Sequence, residues 1–238
     1  TDGVPPRAYM AHALLYPFEN RMHPIGVHEL GYANMPWSMH QEDPETSPVS
    51  PESFLKIARL FWGSEDAADF SSYEGKAQAA RNIQNRTYLR DCLGFCDFIW
   101  PITYSLSTSD GVGDADLEGE IFTAVTGTPA SELGAYAERV FNMQRIIRVH
   151  EGHRVPEDDY PPEFNFTEPL QTSIHGGKIL RPGPGAKPAD ATGNVLDRDK
   201  FTIMLREFYR IRGWDEKTGL PTGETLKALG MEDLIEAV

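Results

Sequence analysis

The stretch TPASELGAYAERVFNMQRIIRVHEG, Thr128 to Gly152, decides the fold. Thr128 is placed to cap a helix, and Pro129 suits its first position, where a missing N–H costs nothing. Leu133, Tyr136, Ala137, Val140, Phe141, Gln144, Ile147 and Arg148 then recur at helical spacing and form one mostly apolar stripe.

The flanks read the same way. In SPESFLKIARLFWG, Ser50 caps, Pro51 stands first, and Phe54, Leu55, Ile57, Ala58, Phe61 and Trp62 fall at helical spacing before Gly63. GKAQAARNIQNRTYLRDCLGFC reads as a helix running into the two cysteines, and DLEGEIFTAVTG as another ending at Gly127. DRDKFTIMLREFYRIRGW places Phe201, Met204, Leu205, Phe208 and Tyr209 on one face behind Asp197 as cap; PTGETLKALG and MEDLIEAV close the chain as short helices. Alternating strand patterns are scarce. Residues 40–51 and 181–194 are connectors rich in proline or glycine. The expectation is an all-α, multi-helical fold of irregular bundles with long connecting loops. Its domains are expected at 1–90, holding loop 40–51, and at 91–238.

Composition excludes several classes. The 238 residues are long enough to bury ~70% of the unfolded surface. No apolar run approaches the ~20 residues that span a bilayer, which speaks against a membrane partner. A formal charge of −14 without a basic cluster argues against nucleic acid, whose affinity is built from Lys and Arg. Two cysteines are too few for a secreted disulfide scaffold, so a cytoplasmic setting is expected. The opening TDGVPPRAYM carries no initiator methionine, and the chain reads as a piece of a longer protein.

Chemistry-bearing patterns are few. Cys92 and Cys96 stand four apart in DCLGFC around Gly94, which is placed to break the helix. The commonest fate of a free cysteine is burial as a small hydrophobe, and that reading leads for both. The alternative makes one thiolate a metal or cluster ligand whose partners lie elsewhere. Seven histidines are scattered. The pair in HEGH (150–153) reads as a solvated helix end before a metal seat, and the carboxylates of QED (41–43) and EDD (157–159) as solvated loops. Phosphate-binding glycine loops and the GxSxG elbow are absent.

The order of three segments adds more than any one of them. DCLGFCDF, then IFTAVTGTPASELGAYAERVFNMQRIIRVHEGHRVPEDDYPPEF, then FTIMLREFYRIRGWDEKTGLPTGETLKALGME resembles the helical C-terminal half of the tungsten-dependent aldehyde:ferredoxin oxidoreductases. The likeness runs from about FENRMHPIGVHELGYA to the end, with loop 181–194 unmatched. It implies that Asp91 hydrogen-bonds one of two pterins, with Gly94 and the Phe95 backbone beside it. It implies that Cys96 ligates a 4Fe–4S cluster, and it gives Cys92 no role. GYANMPWSMH places His40 where the family has a histidine near the tungsten, in a catalytic role. Pro36, Trp37 and Met39 replace the family's Arg, Gly and Asp there. That departure implies a bulkier, less polar lining and a substrate other than a simple aldehyde.

The family's Cys-x-x-Cys-x-x-x-Cys run, its Asp-x-x-Gly-Leu-Asp motif and its β-rich N-terminal domain are missing. The likeness therefore implies a C-terminal portion that holds neither tungstopterin (or molybdopterin) nor cluster alone. The whole enzyme would oxidise an aldehyde-like carbonyl, with ferredoxin and the N-terminal half as partners. Reduction of an aromatic acyl-CoA is the alternative within the family, and a non-catalytic helical scaffold the alternative outside it.

Overall fold

In the computed structural model the residues described are 5–19, 29–96, 102–171 and 178–237. Helices dominate, as the sequence predicts: 57% of the described residues are helical, beside one small two-stranded sheet among them. In chain order they are α1 (His12–Phe18), α2 (Glu29–Glu42), α3 (Pro51–Ile57), α4 (Lys76–Leu93), α5 (Leu117–Thr126), α6 (Leu133–His150), α7 (Phe164–Thr167), α8 (Arg198–Ile211) and α9 (Gly223–Ala228). Short 3₁₀ turns and a π-helical turn at Ala58–Trp62 join them.

The predicted caps form where their chemistry requires. Ser50 accepts from the Ser53 amide with Pro51 in the first turn of α3, and Asp197 accepts from the Asp199 and Lys200 amides at the start of α8. The α8 stripe is buried as read: Phe201, Met204, Leu205, Phe208 and Tyr209. Helix α4 is the axis of the molecule, with α6 and α8 packed along it.

Two expectations change. Helix α6 begins at Leu133, because Ala130–Glu132 forms a 3₁₀ turn and Pro129 is extended. Its buried face is Ala137, Glu138, Phe141, Asn142, Arg145 and Ile146, whereas Tyr136 and Ile147 are exposed. The stripe is rotated because charges that normally stay in water are paired inside. Glu138 accepts from Arg81, Asn85 and Arg212, and the Arg212 guanidinium lies 3.8 Å from the Phe141 ring centroid. Arg145 grips Asp159 through both terminal nitrogens, and His153 and Tyr209 complete the shell of that carboxylate.

The 181–194 connector is the second change. It folds into an antiparallel hairpin of β1 (Leu180–Pro182) and β2 (Pro188–Asp190), in which Leu180 pairs with Asp190, Arg181 with Ala189, and Pro182 with Pro188. At its turn the Ala186 carbonyl accepts from the Trp37 indole at 2.9 Å. Trp37 and Pro36 are therefore core residues, and the bulkier lining expected from them is not formed: of the replaced positions only Met39 is exposed.

Candidate functional site

Helix α4 stops where Gly94 takes the left-handed conformation, φ 75°, and the Phe95 amide donates back to the Arg90 carbonyl at 2.8 Å. A side chain there costs roughly 1 kcal/mol of backbone strain, so glycine is the natural stop. Among the described residues, none lies within 4 Å of a Cβ added at Gly94. Asp91 and Cys92 are exposed on the last turn, Phe95 is half-buried, and Cys96 is exposed just beyond the cap. Both thiols are thus out of the core, which corrects the reading of them as buried packing.

What holds this end in place was not legible in the sequence. Glu29, at the start of α2, is buried and accepts from Arg86 at 2.6 and 2.9 Å, from Arg90 at 2.9 Å and from the Trp62 indole at 2.9 Å. Burial opposes its charge, but Arg86 and Arg90 outweigh that and hold Glu29 below the ordinary carboxylate value. Arg90 also lies 3.2 Å from Glu118 on α5, whose acidity burial weakens. The residue next to Asp91 therefore ties α4 to both α2 and α5. Arg86 and Arg90 at i, i+4 were the available signal, since that spacing puts both guanidiniums on one helix face.

The same end borders a groove of about 580 Å³ lined by Leu60, Ile102, Tyr104, Val112, Asp114, Asp116 and Leu117 among others. Tyr32 on α2 links the two: burial raises its phenol, and Cys96 and Tyr104 lie close enough to raise it further. Loop 102–117 is pressed against itself at Gly113, where a Cβ would fall 1.6 Å from the Ile102 carbonyl oxygen.

His40 stands at the other end of α2 from Glu29, eight residues beyond Tyr32, or ~12 Å along the helix. Its Nδ1 lies 2.7 Å from the Ser47 carbonyl oxygen. A carbonyl only accepts, so Nδ1 carries the proton and the lone pair of the neutral ring is on Nε2. The described contacts join His40 to neither Asp91 nor Cys96. The HEGH pair is divided, His150 bonding the Ala237 carbonyl and His153 the buried Asp159. Asp159 of EDD is wholly buried, contrary to the solvated-loop reading, because Arg145 neutralises it. Among the described residues no three His, Cys, Asp or Glu side chains gather to hold a metal, and no helix is long and apolar enough to cross a membrane.

An exposed carboxylate, two exposed thiols and the left-handed cap at Gly94 lie together on an ion-paired base within this helical region. Comparison with known proteins places that region. The family model described as aldehyde ferredoxin oxidoreductase, domains 2 & 3, matches residues 6–231, and the chain belongs to that oxidoreductase family. The tungsten-containing aldehyde ferredoxin oxidoreductase of Pyrococcus abyssi (strain GE5 / Orsay) is 26% identical over 155 residues, 64% of this chain and 21% of the relative. That of Pyrococcus horikoshii is 25% identical over the same shares. The chain thus spans about a fifth of the curated relatives it matches. Among solved structures, the active site complex BamBC of benzoyl coenzyme A reductase, with 1,5-dienoyl-CoA, superposes with a TM-score of 0.45 at 18% identity, covering 70% of this chain and 21% of that one.

Proposed function

We propose that this chain is the helical part of a tungsten (or molybdenum) pterin oxidoreductase that oxidises an aldehyde to its carboxylate and passes electrons to ferredoxin. The observation that carries the reading is the joint exposure of Asp91 and Cys96 around the Gly94 cap, in a chain of this family. The donor set fits the cofactors: an accessible thiolate suits an iron–sulfur cluster, and a carboxylate suits the amino-pyrimidinone edge of a pterin.

Asp91 would accept the pterin's N–H groups, and Cys96 would supply one cluster ligand, the others coming from the N-terminal half of the protein. Gly94 and the Phe95 backbone would lie against the pterin, where a side chain at 94 would stand in the way. When bound, the metal centre and cluster supply the two-electron oxidation and the outlet for those electrons. The net reaction breaks the aldehyde C–H bond and forms a C–O bond to an oxygen from water, releasing protons. His40 is poised to take one at Nε2, because Ser47 fixes the opposite tautomer.

The test is aldehyde-dependent reduction of ferredoxin, or of a viologen dye, by the full-length protein purified without oxygen. His40→Ala is expected to keep its metal and lose most turnover; unchanged turnover removes the role of His40. Metal-loaded protein inert toward every aldehyde, yet active on an aromatic acyl-CoA with reduced ferredoxin, would transfer the reading to the reductive branch.

A further inference from the structure

We propose that the outer face of α6 is a self-association surface, on which a second copy of this chain packs its own α6 in antiparallel register. The surface is independent of the oxidoreductase reading, because it uses no residue of the Asp91–Cys96 end.

The face is a consequence of the buried charges. With Glu138 and Arg145 paired inside, α6 turns Tyr136, Met143 and Ile147 outward, where they are 37%, 39% and 47% exposed. Val140 lies between them, half-buried against the core. The four are spaced by four, three and four residues, the alternation with which one helix receives the side-chain knobs of another. The strip widens at its start. Phe122 of α5 meets the Tyr136 ring edge-on at 6.4 Å between centroids, and Val125, about one turn further along α5, is 80% exposed. No residue of α5 is buried. Single exposed apolar side chains are ordinary, but a contiguous strip over two helices marks an interaction surface.

Two features select a second copy as the occupant. The first is symmetry. Tyr136 and Ile147 are equidistant from the midpoint between Phe141 and Asn142, and so are Val140 and Met143. A two-fold axis at that midpoint sets Tyr136 of one copy against Ile147 of the other and Val140 against Met143, each twice. That makes four apolar layers in an isologous contact. The second feature is charge. A formal charge of −14 makes most of the surface repel a second copy. Helix α6 has a single carboxylate, Glu138, and it is buried. From Tyr136 onward the exposed residues of the helix are Tyr136, Arg139, Met143, Ile147 and His150. Two acidic chains therefore meet here without setting carboxylates of the two helices against each other.

Sedimentation equilibrium of the full-length protein tests the surface. A dimer is expected, and Met143→Glu and Ile147→Glu are each expected to raise its dissociation constant at least tenfold. Both positions are exposed in the single chain, so both variants are expected to keep the wild-type circular-dichroism spectrum. Arg139→Glu, which puts an acid on each copy near the axis, is expected to weaken the dimer at low salt and to recover most of the loss at ~0.5 M salt. A dimer that all three variants leave intact would place the contact elsewhere and overturn the proposal. A monomeric wild type would overturn it as well. If Met143 of that monomer were shielded from hydroxyl-radical footprinting, the face would belong to the rest of the same polypeptide.

Discussion

At the scale of single residues, buried charge does most of the positioning. Glu29 binds two guanidiniums, that of Arg90 next to Asp91 and that of Arg86 one turn earlier. Replacing Glu29 with Gln leaves Arg86 and Arg90 with Glu118 as their remaining nearby counter-charge, and a broken buried pair costs about 3–5 kcal/mol. Urea unfolding of Glu29→Gln is expected to show a loss of that size; less than 1 kcal/mol would mean the cluster is solvated in solution. Lys76 gives a pH signature. Its Nζ donates to the Asp66 and Glu74 carbonyls, and burial pulls its pKa from 10.5 down to about 8. Between those values the folded chain holds fewer protons than the unfolded one, so stability rises with pH across the window, by up to about 3 kcal/mol. That part of the rise is expected to vanish in Lys76→Met, and parallel pH profiles would refute it. None of these pairings was legible, because a sequence shows a charged residue but not the partner that lets it be buried. Glu138 and Arg145 were left out of the α6 stripe for that reason, and Asp159 was read as part of a solvated loop.

At the scale of elements, local chemistry was readable wherever it is strictly local. Ser50, Asp197 and the α8 stripe follow from neighbours within a turn or two, and the structure has them as read. The 181–194 hairpin was hidden because its strands are three residues each, too short to show alternation. It is held in part from far away in sequence, by the Trp37 indole, 149 positions from Ala186, and by the Phe70 amide on the Pro182 carbonyl. The stop of α4 is the element on which the site depends. Among the described residues nothing crowds the methyl of Gly94→Ala, so the expected cost is the backbone strain, roughly 1 kcal/mol. Thermal unfolding is expected to register that modest loss. In the full-length protein cluster iron should fall further than stability does, because the cap sets where Cys96 points. Full iron occupancy in Gly94→Ala would show that the turn is not what places the thiol.

At the scale of the whole molecule, the architecture is a helical frame whose axis, α4, ends in the candidate site. The order of DCLGFC, the α5–α6 segment and the α8–α9 segment was enough to read the family from the sequence. What the order left open was which thiol is engaged, since both are exposed. The central claim is that the Asp91–Cys96 end is one part of a cofactor site completed by the rest of the protein. It is tested by the iron and tungsten (or molybdenum) content of the full-length protein, purified without oxygen, beside Cys96→Ser and Cys92→Ser. The account predicts both metals in the wild type, loss of cluster iron in Cys96→Ser and normal iron in Cys92→Ser. Metal-free wild type, or equal iron loss in the two variants, would contradict it.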